Sequence, residues 1–319
     1  MSEASAARVL ASHFDRQVRV IVEGEPGVRA DESDAVHDVR VASRRLRSAL
    51  RTFEPLLDTG RSQPLRIELK WLGEELGGPR DAEVLLERLL SEVAELPSDK
   101  LIGPVVERLE LELRSSHRSA HAELVEAMDS PRFLTLRAEL QRLLDEPPLA
   151  RKAREAAFLV LPLQLRWADR RVLRRWKAAR TADHLDSPAL YHETRKAAKA
   201  ARYAWEACQD VFGASATVRA KAWKAVTESL GIVQDTVVSR QRLAELAWLA
   251  AEAEESTVSY DQLSWSEHAR SQDSMAAAEE ALQAAAELVH GCWEGASNAD
   301  EPKPDEGPTA ADQAIFPQG

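Results

Sequence analysis

The stretch VHDVRVASRRLRSALRTF, residues 36–53, carries two different patterns on one predicted helix. At about 100° per residue, the apolar side chains of Leu46, Leu50 and Phe53 share one face. The opposite arc holds only basic side chains, namely His37, Arg40, Arg44, Arg47 and Arg51. Like charges one turn apart destabilise a helix by roughly 0.2–0.5 kcal/mol per pair, so a face that merely meets solvent normally mixes signs. The stretch therefore predicts a helix with one buried face and an unbroken line of cations on the other.

A second stretch, YHETRKAAKAARYAWEAC at 191–208, repeats this pattern at an offset of 155 residues. The aligned basic pairs are His37 with His192, Arg40 with Arg195, Arg44 with Lys199, and Arg47 with Arg202. Another match follows in the same order, with LGGPRDAEVLLERL at 76–89 lying over LGIVQDTVVSRQRL at 230–243. Two ordered matches with nearly equal offsets indicate an internal duplication.

The remaining sequence predicts an all-α protein built from two helical bundles side by side. Glycine is scarce, while the strong helix formers Ala, Leu, Glu and Arg are frequent. A break near Pro147 and Pro148 divides a first repeat, 1–147, from a second, 148–295. Residues 296–319, rich in proline and acid, are predicted to be a disordered tail. The predicted helices are 4–23, 34–57, 63–95, 100–127, 131–145, 150–180, 188–212, 216–252 and 260–292.

The chain is acidic overall, with a formal net charge of −11, so an anion site has to be built locally. Arginine grips phosphate oxygens with a planar fork, and cations one helical turn apart, about 5–6 Å, match an extended phosphate chain. The repeated aspartates Asp81 and Asp235 are predicted to orient these cations by ion pairing. Further cations that would widen the site are Arg16, Arg19, Lys70, Arg166, Arg170, Arg174 and Lys177.

Several other features of the sequence are assigned ordinary roles. Cys208 and Cys292 are predicted to be reduced thiols, and His117 and His121, spaced i,i+4, to lie on a solvated face rather than to bind metal. The eight tryptophans are predicted to pack in the core. No signal peptide, membrane span, glycine-rich phosphate loop or metal cluster is recognised, so a cytoplasmic protein without cofactor or metal is expected.

In this order, the blocks HDVRVASRRLRSALRTF, LGGPRDAEVL, HETRKAAKAARYAWE and LGIVQD resemble the CHAD domain, the conserved histidine α-helical domain, over roughly residues 5–293. The resemblance implies two four-helix bundles related by a pseudo-two-fold axis, with a basic pore or groove between them. It also implies binding of inorganic polyphosphate rather than catalysis, and a location with polyphosphate-containing granules. Many relatives carry an N-terminal triphosphate-tunnel domain, whereas the stand-alone form is expected here.

The resemblance assigns roles to individual positions. The family's histidines correspond to His37 and His192. Its other binding positions correspond to Arg40, Arg44, Arg45, Arg47, Arg51, Arg195, Lys196, Lys199, Arg202 and Tyr203. The second copy departs from the pattern at Ala200 and Ala201, and Glu206 aligns with Arg51. The first copy is therefore predicted to bind the more strongly.

Three functions remain open from the residues alone. The first is a polyphosphate-binding module. The second is an enzyme that cleaves or transfers phosphate, which would need metal-binding carboxylates on the cationic surface. The third is a helical adaptor for nucleic acid or protein. The acidic total and the lack of aromatic residues interleaved with the cations disfavour nucleic acid.

Overall fold

The structure, a computed structural model, describes residues 4–32, 34–183 and 187–293. Over these residues the chain is all-α, as predicted, with ten α-helices and three short 3-10 helices. The predicted tail, 296–319, lies outside the described residues. The α-helices are α1 (Ala6–Arg29), α2 (Ala35–Thr52), α3 (Thr59–Glu75), α4 (Gly77–Glu95), α5 (Val105–Asp129), α6 (Pro131–Asp145), α7 (Ala157–Thr181), α8 (Ser187–Ala207), α9 (Gln209–Glu252) and α10 (Val258–Trp293).

The helix α2 has the two faces that its sequence predicts. Leu46, Leu50 and Phe53 are fully buried, whereas the arginines of the opposite arc are half-buried or exposed. Full burial of a leucine or phenylalanine side chain contributes roughly 1.5–3 kcal/mol. The apolar face therefore anchors α2 firmly enough to hold the cations in a defined place.

The single helix predicted over 63–95 is wrong, because the chain forms two helices, α3 and α4, that meet at Leu76. Pro79 lies in the first turn of α4 and has no N–H to donate to the carbonyl of Glu75. The matching stretch of the second repeat has Val233 in place of this proline and continues without a break inside α9. A separate break in α9 occurs at Gly213, whose φ of 53° favours glycine, and it falls in the predicted gap between helices.

Two clusters of apolar side chains form the core. The larger includes residues from α1, α2, α7 and α8. The smaller is built around Leu89 of α4, Leu109 of α5, Leu246 of α9 and Leu263 of α10. Each cluster takes residues from both halves of the chain, so the halves are held together by shared apolar packing. The pseudo-two-fold axis and the groove implied by the resemblance stay predictions.

The tryptophans of the described residues are buried, partly buried or exposed. Trp205 and Trp223 are buried and donate from their indole N–H groups to Asp169 Oδ1, at 2.9 and 2.7 Å. Trp248 and Trp265, in contrast, are 63% and 74% exposed, so the prediction of core packing is wrong for these two. Each lies two residues, or about 200°, from a buried leucine of the smaller cluster and therefore points away from it.

The prediction that His117 and His121 lie on a solvated face is also wrong. Both side chains are largely buried between α5 and the end of α1. His117 Nε2 lies 2.9 Å from Asp31 Oδ2, and His121 Nε2 lies 2.8 Å from the carbonyl oxygen of Val28. His117 therefore ties α5 to the loop that precedes α2, and His121 ties α5 to the last turn of α1.

The thiol of Cys208 is free and buried, and burial raises its pKa to about 12. The side chain of Cys292 lies outside the described residues. Among the helices that the structure describes, none has both the length and the apolar content needed to cross a membrane.

Candidate functional site

The two basic helices, α2 and α8, pack directly against each other. The contact is made by polar groups as well as apolar ones, since Arg44 Nε donates to the hydroxyl of Tyr203 at 3.2 Å. Tyr203 is almost fully buried, so its hydroxyl is a fixed point on the boundary between the helices. Cations separated by about half the chain are thus brought to one surface.

Four cations on this surface form what we call the central cluster. Its members are half-buried and, within the described residues, have no carboxylate oxygen within 4.0 Å of their charged nitrogens; they are Arg44, Arg47, Arg195 and Lys199. The Nε of Arg195 is fully buried and has no hydrogen-bond partner in the described part of the chain. Buried polar nitrogens normally have a partner. The Nε of Arg195 is too deeply buried to meet a ligand in this conformation, so the capacity of the cluster to bind an anion rests on its uncompensated positive charge.

Electrostatics in the central cluster disfavour its own positive charge. Burial lowers the pKa values of Arg47 and Arg195 below the usual range for arginine. Burial, reinforced by the neighbouring charges of Arg195 and Arg44, lowers the pKa of Lys199 to about 7. Both effects penalise the charged form of a cation. A bound anion would relieve the repulsion, so the cluster is poised for an anionic ligand.

The two Leu-Gly stretches, at 76–77 and 230–231, lie next to arginines of the basic helices. Arg40 Nη1 donates to Asp81 Oδ1 at 2.7 Å, which confirms the predicted orienting role for this aspartate. The ion pair predicted for Asp235 is wrong, because no cation of the described residues lies within 4.0 Å of its carboxylate; Asp235 influences Arg195 by charge alone. A Cβ at Gly231 would lie 3.2 Å from Arg195 Nη2. The glycine of the second motif thus leaves room for Arg195, whereas the aspartate of the first motif holds Arg40 by an ion pair.

Two further predicted cations are neutralised by a neighbour. Glu206 accepts from Arg45 Nη2 at 3.1 Å through Oε2 and from Arg202 Nε at 2.7 Å through Oε1. Both guanidinium groups also lie over the ring of Tyr203. We call Arg45 and Arg202 the clamped pair. They adjoin the central cluster through Tyr203 but differ from it in having a carboxylate partner.

The two matched histidines occupy half-buried positions on α2 and α8. His192 Nδ1 lies 3.1 Å from Gln234 Oε1, and burial together with Lys196 lowers its pKa. His192 is therefore mainly neutral at pH 7. His37 lies on the cationic arc of α2, as the sequence predicts.

The other predicted cations do not belong to the central cluster. Four make ion pairs at or near the surface: Arg16 with Asp210, Arg19 with Asp15, Lys70 with Glu74, and Lys196 with Glu193. Such pairs contribute roughly 0–1 kcal/mol, so a polyanion could displace them. Arg51 is exposed in the last turn of α2. On α7, Arg174 and Lys177 are exposed while Arg166 and Arg170 are half-buried.

Sequence reasoning overlooked His13. This side chain of α1 is buried, and burial together with Arg16 and Arg45 lowers its pKa to about 4. A signal was present, since His13 follows the apolar Val9 and Leu10 by four and three residues and so shares their face. His13 is therefore a neutral side chain near Arg16 and Arg45 rather than a further cation.

A cavity of about 390 Å³ lies between the start of α2, α4 and α5. Its lining mixes acids and bases, including Asp31, Glu83, Arg80 and Arg114, and contains no member of the central cluster. No group of three or more side chains suited to hold a metal ion occurs among the described residues.

A model of the CHAD domain matches residues 12–244. This chain belongs to the CHAD domain family. The CHAD domain of the plant Ricinus communis has a similar crystal structure, with 27% identity, 91% of this chain and 93% of that chain covered, and a TM-score of 0.67. PptA from Streptomyces chartreusis shares the fold at 21% identity and a TM-score of 0.74, covering 88% of this chain and all of that one.

Curated relatives of this CHAD protein occur in Mycobacterium tuberculosis. The uncharacterized proteins Rv2226 of strain H37Rv and MT2285 of strain CDC 1551 are each 36% identical to it over 249 residues. The match covers 76% of this chain and 46% of each relative. The chain thus spans about half the length of the curated relatives that it matches.

Proposed function

We propose that this CHAD protein binds inorganic polyphosphate through the central cluster and does not turn it over. The observation that carries the proposal is the meeting of four half-buried cations from two helices without a neutralising carboxylate within 4.0 Å in the described part of the chain. Polyphosphate is also the ligand that the family resemblance implies.

A linear polyanion suits this arrangement better than a single phosphate. The cations come from α2 and α8, and Lys199 is influenced by Arg195, Arg44 and Arg40 together. One phosphate group offers oxygens to only one or two arginine forks at once. A chain of phosphates would contact the cations in sequence and release its condensed counterions, which favours binding at low salt.

The experiment is a calorimetric titration of the protein with orthophosphate, tripolyphosphate and long-chain polyphosphate over a salt series. We expect long chains to bind tightest and to lose affinity steeply as salt rises. A ligand present at about 100 times its Kd should stabilise the fold by about 2.7 kcal/mol, so the Tm should rise as well. Equal binding of orthophosphate per phosphate group would contradict a polyanion site.

Two further measurements separate the other functions. Short duplex DNA at the same phosphate concentration should fail to displace polyphosphate; displacement would favour the nucleic-acid adaptor. Incubation of long-chain polyphosphate with protein and Mg²⁺ or Mn²⁺ should release no phosphate. Release at a rate that scales with protein concentration would favour the enzyme.

A further inference from the structure

The carboxylate of Glu206 joins two arginines from the two basic helices. Its two oxygens accept separately from Arg45 of α2, at 3.1 Å, and from Arg202 of α8, at 2.7 Å. The arginines also lie 5.6 and 5.7 Å from the centroid of the Tyr203 ring, measured at Cζ. One carboxylate thus makes the contacts with two guanidinium groups that phosphate oxygens would make.

The clamped pair continues the cationic surface of the central cluster. Tyr203 links them, because its ring lies beneath Arg45 and Arg202 while its hydroxyl accepts from Arg44. The exposed fractions of the Arg45 and Glu206 side chains are 34% and 22%, so solvent only partly screens their ion pair. Arg45 and Arg202 therefore extend the row of cations beyond the central cluster, but the carboxylate of Glu206 neutralises part of their charge.

The interruption is particular to the second repeat. Glu206 aligns with Arg51 of the first repeat, so α8 carries an anion where α2 carries a cation. The change is not required to pack the helix, since the neighbouring Trp205 and Ala207 provide the buried face. The position thus affects charge on the binding surface rather than the core.

We propose that Glu206 is a specificity-determining residue, a built-in substitute for phosphate that confines bound polyphosphate to the central cluster. The inference rests on the proposed function. A longer chain reaches Arg45 of α2 and Arg202 of α8 only by displacing a carboxylate that the fold holds beside both of them. Because that carboxylate is always present at a high effective concentration, it competes well against additional phosphate groups.

The test compares Glu206→Gln with Glu193→Gln, a matched control. Both changes remove one negative charge from α8, but Glu193 pairs with Lys196 rather than with the clamped pair. We expect Glu206→Gln to bind long-chain polyphosphate about ten-fold tighter or more, because two arginines become available for charged hydrogen bonds. Tripolyphosphate, already satisfied by the central cluster, should gain less than about three-fold. The control should gain less than about three-fold for both ligands.

A second variant shows whether the gain comes from the clamped pair. Arg45→Gln should cost less affinity for long chains in the parent than in Glu206→Gln, because Glu206 already accepts from that arginine in the parent. In the Glu206→Gln background the same change should remove most of the gain. The salt dependence should be steeper for Glu206→Gln than for the parent, since more cations then contact phosphate.

The inference is overturned if Glu206→Gln binds long chains no tighter than the parent, or gains no more than Glu193→Gln. If the parent binds polyphosphate but Glu206→Gln gives no such gain, the proposed function stands and only the inference about Glu206 fails. If neither the parent nor Glu206→Gln binds polyphosphate, both fail. Binding by Glu206→Gln alone would support the carboxylate as a substitute ligand and contradict the proposed function of the natural chain.

Discussion

The two basic helices have aligned sequences but different charge. In α2, Arg44 and Arg47 belong to the central cluster and lack a carboxylate within 4.0 Å in the described residues. In α8, the residue aligned with Arg44 is Lys199, whose pKa is lowered to about 7, and the residue aligned with Arg47 is Arg202, which is held by Glu206. Packing constrains the buried faces of both copies alike. The exposed arcs are free to differ, and each copy has a different paired cation: Asp81 holds Arg40 of α2, whereas Glu206 holds Arg202 of α8.

The largest expected effect is the loss of an arginine from α2, the copy predicted to bind the more strongly. Arg44→Ala should weaken binding of long-chain polyphosphate about ten-fold or more, since a hydrogen bond to a charged group contributes roughly 1.5–3 kcal/mol. Lys199→Ala should cost less at pH 8, because Lys199 is then mostly neutral in the free protein. The check is a titration at fixed salt, with Tm recorded for each variant.

Arg142→Ala provides the control for this comparison. Arg142 is 58% exposed on α6 and pairs with Glu139, so its loss removes one positive charge far from either basic helix in sequence. Equal losses for Arg44→Ala and Arg142→Ala would mean that net charge alone governs binding. A larger loss for Lys199→Ala than for Arg44→Ala would reverse the assignment of strong and weak copies.

The next effect is on the pH dependence of binding. The pKa of Lys199 is about 7 in the free protein, and a bound polyanion raises it by favouring the ammonium form. Below pH 7 the group is already charged, so its contribution to affinity is constant. As pH rises above 7, binding has to take up a proton and affinity falls, by about ten-fold for each unit by which binding raises the pKa.

This effect is measured by titrations from pH 6 to pH 9 in the parent and in Lys199→Arg. Arginine keeps its charge throughout that range, so the variant should lose the decline in affinity. Proton uptake in calorimetry, read from the dependence of the heat on buffer ionisation, should disappear with it. An unchanged pH profile in Lys199→Arg would assign the decline to another group.

A smaller difference is expected between the two matched glycines. A Cβ at Gly231 would lie 3.2 Å from Arg195 Nη2, whereas one at Gly77 would lie 3.7 Å from Arg40 Nη2, an ordinary van der Waals distance. Gly231→Ala should therefore shift Arg195 and weaken binding roughly three-fold, a fraction of one charged hydrogen bond. Gly77→Ala should leave affinity within about two-fold.

Measurements of Tm distinguish a displaced Arg195 side chain from a general loss of stability. Alanine in a helix is favoured over glycine by about 0.8–1 kcal/mol, so neither variant should lower the Tm appreciably. Weaker binding by Gly231→Ala with an unchanged Tm would match a displaced Arg195. Equal affinities for the two variants would mean that the glycines do not distinguish the copies.

The smallest effect is expected at the histidine of α8. His192 is kept mainly neutral at pH 7 by burial and Lys196, and it contacts Gln234. His192→Asn, which retains a hydrogen-bonding side chain, should change affinity for polyphosphate by less than about three-fold at pH 8. A ten-fold loss at that pH would indicate direct contact between the neutral imidazole and phosphate.

The sequence alone determined the fold class and the identity of the cations. The 3.6-residue period places Leu46 and Arg44 on opposite faces whatever the helix packs against, and the ordered repeat marks the second copy. Those properties depend on local geometry, which the residue order specifies. The break at Leu76 could also have been predicted from the sequence, because the proline at position 79 has no N–H to donate within a helix.

Only the tertiary structure decided which cations lack a neutralising partner. Glu206 lies next to Arg45 in space but 161 residues away in sequence, and no local rule connects them. The lowered pKa of Lys199 likewise requires burial and the approach of Arg44 from another helix. Charge interactions and desolvation depend on distance and environment in three dimensions, so a row of basic residues in the sequence becomes a site only where folding leaves their charge uncompensated.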